Sequence, residues 1–153
     1  MTFDLRKALP HLVPKAITWA ETQSQQIAQL GQPLNDSLKS IARSVGVMHP
    51  EFIRVAEVDS LPIPDDPDLK QAALATGMLG PNMVGLTLGY GVYVCRGHGT
   101  IRLLSHEFRH VYQYEKAGSI AAFLPVYLQQ IVSVGYNSAP FEVDARAYER
   151  NQA

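Results

Sequence analysis

His106-Glu107-Phe108-Arg109-His110 is the stretch of this chain whose residue types and spacing could do chemistry. On an α-helix, residues four apart share a face, so His106 and His110 can hold one metal ion from successive turns. Glu107 then sits one step round the helix, beside the ion and not on it. A carboxylate in that place can take a proton from a water activated by the metal. Chance yields the pattern about 0.01 times in a chain of this length and composition. It predicts a zinc-dependent hydrolase using one Zn2+ ion, with His106 and His110 as ligands and Glu107 as general base. A peptide bond is the expected target.

The bland account is a helix with three polar residues on a wet face. The neighbours argue against it. Ile101, Leu104, Phe108 and Val111 form one apolar arc, and Leu103 and Tyr114 share the histidines' side, leaving Ser105, Arg109, Tyr112 and Lys116 for solvent. A helix apolar over most of its circumference is buried. Imidazoles and a carboxylate facing inward there need a partner, and a metal supplies one.

A catalytic zinc takes three protein ligands and keeps one position open. The third candidates are Glu142, Asp144 and Glu149 near the C-terminus, and His98 or Cys95 just before the motif. Glu142 falls in the first turn of an expected helix, and Ala145 on the same face would let that helix approach closely. The competing use of Glu142 is an exposed pair with Arg146 at i,i+4. Cys95-x-x-His98 with His106 and His110 would instead make a closed, structural site and leave Glu107 without a role.

The elements that must position these groups are legible from breakers and caps. Pro14 to Leu30 reads as a first helix stopped by Gly31, and Asn35-Asp36-Ser37 as the cap of a second helix running to about Val45. Phe52 to Val58 reads as a strand, followed by an acidic, proline-punctuated loop from Asp59 to Asp68 that reads as solvated. A short helix is expected over Leu69–Thr76, then Met83–Leu88 and Tyr90–Cys95 as two strands or one bent strand around Gly89. The motif helix ends at Gly118. Ser119 caps the next helix, Ile120 to Val134, where Pro125 either kinks or restarts it, and Pro140 opens a last helix from Phe141 to about Arg150.

The chain has 153 residues, 46% of them hydrophobic, which is enough for one globular domain over 1–153 with a core of its own. The class expected is α+β: a small mixed or antiparallel sheet packed on a buried motif helix, with further helices at both ends. A formal net charge of −1 gives no electrostatic basis for nucleic-acid binding or for an acidic membrane. One cysteine excludes an internal disulfide and fits a reducing compartment. No run of 18 apolar residues and no secretory leader is evident, so a cytoplasmic location is expected, with export by a dedicated machine left open.

Leu103-Leu-Ser-His-Glu-Phe-Arg-His-Val-Tyr-Gln113, preceded by Leu86-Thr-Leu-Gly-Tyr-Gly-Val-Tyr93 and followed by Phe141-Glu-Val-Asp-Ala-Arg146, resembles zincin-type metallopeptidases of the gluzincin branch. The likeness is to small bacterial domains associated with contractile injection systems. It spans residues 83–149, a catalytic core; the helical part over 1–80 matches no family. The resemblance implies His106, His110 and Glu142 as zinc ligands and Glu107 as catalytic base. Relatives often carry an aspartate directly after the alanine, contacting a ligand histidine, where this chain has Arg146. Asp144 or another carboxylate is expected to take that supporting role.

Under this reading Glu107 moves the proton from water to the leaving amine of a peptide or protein substrate. Strand Tyr90–Cys95 is expected to pair with an extended substrate. Tyr136, Tyr114 and His98 are the candidates to steady the developing oxyanion, while Gln113 is expected at the surface. Two alternatives stay open: a zinc-binding but non-catalytic structural or interaction module, and an interaction domain in which the motif is incidental.

Overall fold

In the computed structural model, which describes residues 4–151, the chain forms α1 (Leu5–Leu30), β1 (Gln32–Pro33), α2 (Asp36–Ser44), β2 (Arg54–Val58), α3 (Pro67–Thr76), β3 (Gly85–Leu88), β4 (Gly91–Cys95), α4 (Ile101–Ala117), α5 (Ile120–Val134) and α6 (Pro140–Ala147). The class is α+β. Met1–Phe3 and Gln152–Ala153 of the expected domain lie outside the described residues.

The four strands make one mixed sheet in the order β1-β2-β4-β3. β2 runs parallel to β4, while β1 on β2 and β3 on β4 are antiparallel. The two runs around Gly89 are therefore a hairpin, and the N-terminal part contributes the expected strand, β2, together with the short β1. β4 is interior, and every one of its residues is buried. Alternation sends Val92 and Val94 to one face and Tyr93 and Cys95 to the other. The first pair packs with Leu104, Phe108 and Val111 of α4 and Ala42 of α2. The second joins Ala20 and Ile27 of α1 and Phe123 and Ile131 of α5. The sheet is thus held between α1 on one side and α4 on the other. An interior β4 has no free edge, which corrects the expectation that Tyr90–Cys95 pairs with substrate. The outer strand on that side is β3.

Helix α1 starts nine residues before the expected Pro14. Asp4 caps it by accepting from the amides of Arg6 and Lys7, and Pro10 and Pro14 lie inside. Both prolines sit on exposed positions, so the carbonyls they leave without an amide partner, those of Arg6 and Pro10, meet water. Pro125 likewise does not interrupt α5. The run from Phe52 opens as a 3-10 turn, Pro50–Phe52, before β2 begins. Ser105 is fully buried and accepts from the Arg150 amide at 2.9 Å, so the expected solvent stripe of α4 is narrower than its composition suggests. Among the described residues no single helix is long and apolar enough to cross a membrane.

Close packing of α1 on the sheet depends on Gly91. A Cβ there would lie 2.9 Å from Cδ1 of the fully buried Ile27. Replacing Gly91 with Val should cost about 1–3 kcal/mol through overpacking, read as a lower urea midpoint with an unchanged slope.

Candidate metal centre

Glu142 is 1% exposed and lies in the first turn of α6. Backbone dipoles favour an anion there. Ala139, at the cap position, has no capping side chain, and Gln130 of α5 substitutes by accepting from the Phe141 amide at 3.0 Å. Ala145 is fully buried, which lets α6 lie directly on α4.

The Glu142 carboxylate sits between the two motif histidines. Its Oε1 is 3.2 Å from His106 Nε2 and its Oε2 is 2.9 Å from His110 Nε2. Tyr127 of α5 donates to Oε2 at 2.6 Å. One ligand atom from each of His106, His110 and Glu142 lies within 4.8 Å of the others, so the three could hold a metal ion. Two imidazole nitrogens and one carboxylate oxygen are the donor chemistry that a borderline divalent ion takes.

The far nitrogens of both rings are also held. His106 Nδ1 donates to Glu149 Oε2 at 2.8 Å, and His110 Nδ1 donates to Gln113 Oε1 at 2.7 Å. The Gln113 amide is oriented by its own donations to Phe141 O and Asp144 Oδ2, both at 2.9 Å. Asp144 accepts from Arg109 Nε and Nη2 at 2.8 and 3.2 Å. The Arg109 guanidinium lies between the rings of Tyr112 and Tyr148, 4.0 and 3.6 Å from their centroids. Gln113 is thus a buried support of His110, which corrects its expected surface position. His106 is thus supported by Glu149, and His110 by Gln113 with Asp144 behind it.

Glu107 is 5% exposed. Thr87 of β3 donates to its Oε1 at 2.8 Å and to its backbone oxygen at 3.1 Å. Gly85 leaves room for the other oxygen: a Cβ there would lie 3.0 Å from Oε2. Outer strand β3 therefore fixes the carboxylate beside the cluster. A chamber of about 30 Å³ lies over the cluster, lined among others by Glu107, His110, Glu142, Tyr114, Tyr127 and Tyr136.

The remaining sequence candidates separate. Tyr136 and Tyr114 line the chamber, Tyr114 with its ring centroid 3.9 Å from that of Phe123. His98 is exposed in the turn before α4, and Cys95 is buried in the core. Among the described residues the metal-capable group is His106, His110 and Glu142, so a closed Cys95–His98 site is not assembled. Arg146 donates to the Asn137 carbonyl and not to Glu142. Tyr127, Thr87 and Gly85 were not singled out from sequence. The i,i+3 spacing of Gln113 from His110 was the one available signal.

Electrostatics set a competition between protons and a cation. Burial alone would lower His106, but Glu142, Glu107 and Glu149 raise its pKa to about 9. His110 is raised despite its burial by Glu142 and Glu107. Burial would raise Glu142, yet hydrogen bonds from both histidines and Tyr127 hold it well below the usual carboxylate range. Each imidazole faces acceptors on both nitrogens, so the metal-free cluster holds protons on Nε2 that a metal ion must displace.

Because His106 is raised above its ordinary 6.5 to about 9, its contribution to metal-free stability is complete below 6.5 and lost as pH rises through 9. Divalent-metal affinity should accordingly climb with pH up to about 9, roughly tenfold per unit for each proton displaced, in competition titrations against a chromophoric chelator. Gln113→Ala should weaken metal binding about 10- to 100-fold in the same titration, with the far-UV spectrum unchanged.

No protein-family model, curated protein or solved structure matches this chain, so its own residues carry the functional reading.

Proposed function

We propose that the chain is a zinc-dependent peptidase of the zincin type. The observation that carries this is Glu142 completing a two-histidine, one-carboxylate set while Glu107, on the same helix as the two histidines, stands beside it, held by Thr87. Three protein ligands with space alongside is the arrangement of catalytic zinc, and the N/O donor set suits that ion. Zinc held there supplies Lewis acidity, which polarises a carbonyl and acidifies water.

The chain's own residues do the rest. Thr87 occupies Glu107 Oε1, which leaves Oε2 as the atom that takes a proton from water and returns it to the departing amine. Tyr127 spends its hydroxyl on Glu142 and so orients a ligand. Tyr136 faces the same chamber; burial, the charges of Glu142 and Glu107 and a hydrogen bond to Glu142 keep its hydroxyl protonated, and turning that hydroxyl from Glu142 would bring it to a developing oxyanion. β3, the outer strand of the sheet, lies next to Glu107 and is the strand along which an extended peptide would pair.

One observation favours a second reading, a zinc-binding module without catalysis. The chamber is about 30 Å³, and the His106 side chain is only 12% exposed, so substrate entry requires the walls to part. Zinc-loaded Glu107→Gln separates the two. As a peptidase it should keep one zinc per chain by elemental analysis and lose about 10²- to 10⁴-fold in peptide cleavage, with Tyr136→Phe lowering kcat about 10²- to 10³-fold. Stoichiometric zinc with no cleavage by the unaltered chain would favour the module.

A further inference from the structure

We propose that residues 77–84 form a lid over the metal cluster, and that a neighbouring apolar cavity is the space into which Met78 withdraws when the lid opens. This rests on a metal ion at the cluster, as proposed above, and not on peptide cleavage. The chamber over the ligands is about 30 Å³, so a hydrated ion or a substrate passes only when a wall moves.

Most of the walls are tied to one another by hydrogen bonds. Thr87 of β3 is bonded to Glu107 of α4, Tyr127 of α5 and Tyr136 to Glu142 of α6, and Glu142 to both histidines. Gln130 and Gln113 hold the Phe141 amide and carbonyl. The remaining wall is Met78 and Met83, from the loop between α3 and β3. Among the described residues, the hydrogen bonds of residues 77–82 stay inside the loop or reach only the end of α3. They are Gly77 N to Leu74 O and Leu79 N to Ala73 O at 3.3 Å, Met78 N to Thr76 Oγ1 at 3.4 Å and Met83 N to Gly80 O at 3.1 Å. What seats the loop is apolar contact, with Leu79 buried and Met78 and Met83 half-buried. Such contact is non-directional, so leaving and retaking the seat strands no polar group.

Hinges and room to move are both present. Gly77 and Gly80 hold φ at +78° and +141°, a region that favours glycine, and glycine crosses to negative φ without a steric penalty. Met78 lines the chamber and also a cavity of about 100 Å³ between α1, α3, α5 and β3. Interiors rarely leave a void of that size. No charged residue lines it among the described residues. A thioether chain with its several rotatable bonds turns into such a space without meeting water. Opening then exchanges one apolar surrounding for another.

Zinc release to an excess of chromophoric chelator reads the lid without turnover. The rate should reach a plateau as chelator rises, set by opening, and should change little in urea well below the unfolding transition. Met78→Ala combined with Met83→Ala should raise that plateau about tenfold. Filling the cavity from either helix, by Ala16→Leu or Ala73→Leu, should lower it about fivefold, with the zinc content unchanged. Gln130→Ala, which loosens α6 instead, should leave it where it was. Release that grows with chelator without limit overturns the proposal, as does a plateau that climbs steeply in urea, since release then runs through global unfolding. So does a plateau indifferent to the methionine pair, or one that Gln130→Ala raises as much. Release unslowed in both filled variants overturns the retreat of Met78 into the cavity. A chain that takes up no zinc sinks the metal reading and the lid together. Lid-limited release without peptide cleavage by the unaltered chain keeps the lid and sinks the peptidase reading.

Discussion

The carboxylate of Glu142 is the constraint on which the C-terminal half depends. It is almost fully buried, and three groups from two other helices converge on it: His106 and His110 from α4 and the Tyr127 hydroxyl from α5. A carboxylate in such a place is tolerable only when its lone pairs are taken. The contacts that build the cluster are therefore the contacts that dock α5 and α6 on α4. Without Glu142, two imidazoles whose centroids are 4.9 Å apart would lose the carboxylate that bridges their Nε2 atoms. A divalent cation answers the same electrostatic demand from the other side, since Glu107 and Glu142 place two carboxylates against it.

Two different parts of the fold meet at this point. The helices supply the ligands and the groups behind them, ending in Arg109 clasped by Asp144 and stacked between two tyrosines. The sheet supplies the position of Glu107, through Thr87 and the bare Cα of Gly85 on β3. β3 is itself set by β4, and β4 by the close seat of Ile27 on Gly91. The N-terminal helix therefore bears on the proposed base through a chain of packed elements, and it also walls the apolar cavity.

Much of this was legible in the sequence, and the limits follow from physics. His106, His110 and Glu107 are fixed by spacing on one helix, which is local information. Glu142 was favoured among five third-ligand candidates by its first-turn position with Ala145 on its face, and singled out by the family resemblance. Caps and breakers located most element ends: Asn35, Ser119, Gly118 and Gly135 all act as their types suggest. What escaped was non-local. Tyr127 meets Glu142 only once α5 folds back over α4, and nothing in its own neighbourhood distinguishes it from a core aromatic. Thr87 looked like an ordinary strand residue. The sheet order put β4 inside and β3 outside, and a parallel pairing with β2 cannot be read from two adjacent apolar runs. Pro14 misled about α1 because a proline on an exposed face interrupts few bonds that matter. Ser105 and Gln113 misled because small or amide side chains read as wet unless their partners are known.

The central claim is that one ion is held by His106, His110 and Glu142, and zinc K-edge X-ray absorption on protein loaded with one equivalent of zinc tests it most directly. The spectrum should show a first shell of nitrogen and oxygen at about 2.0–2.1 Å, with the outer scattering of two imidazoles. A sulfur shell at about 2.3 Å, which would bring in Cys95, or the spectrum of hydrated zinc without imidazole scattering, would contradict it.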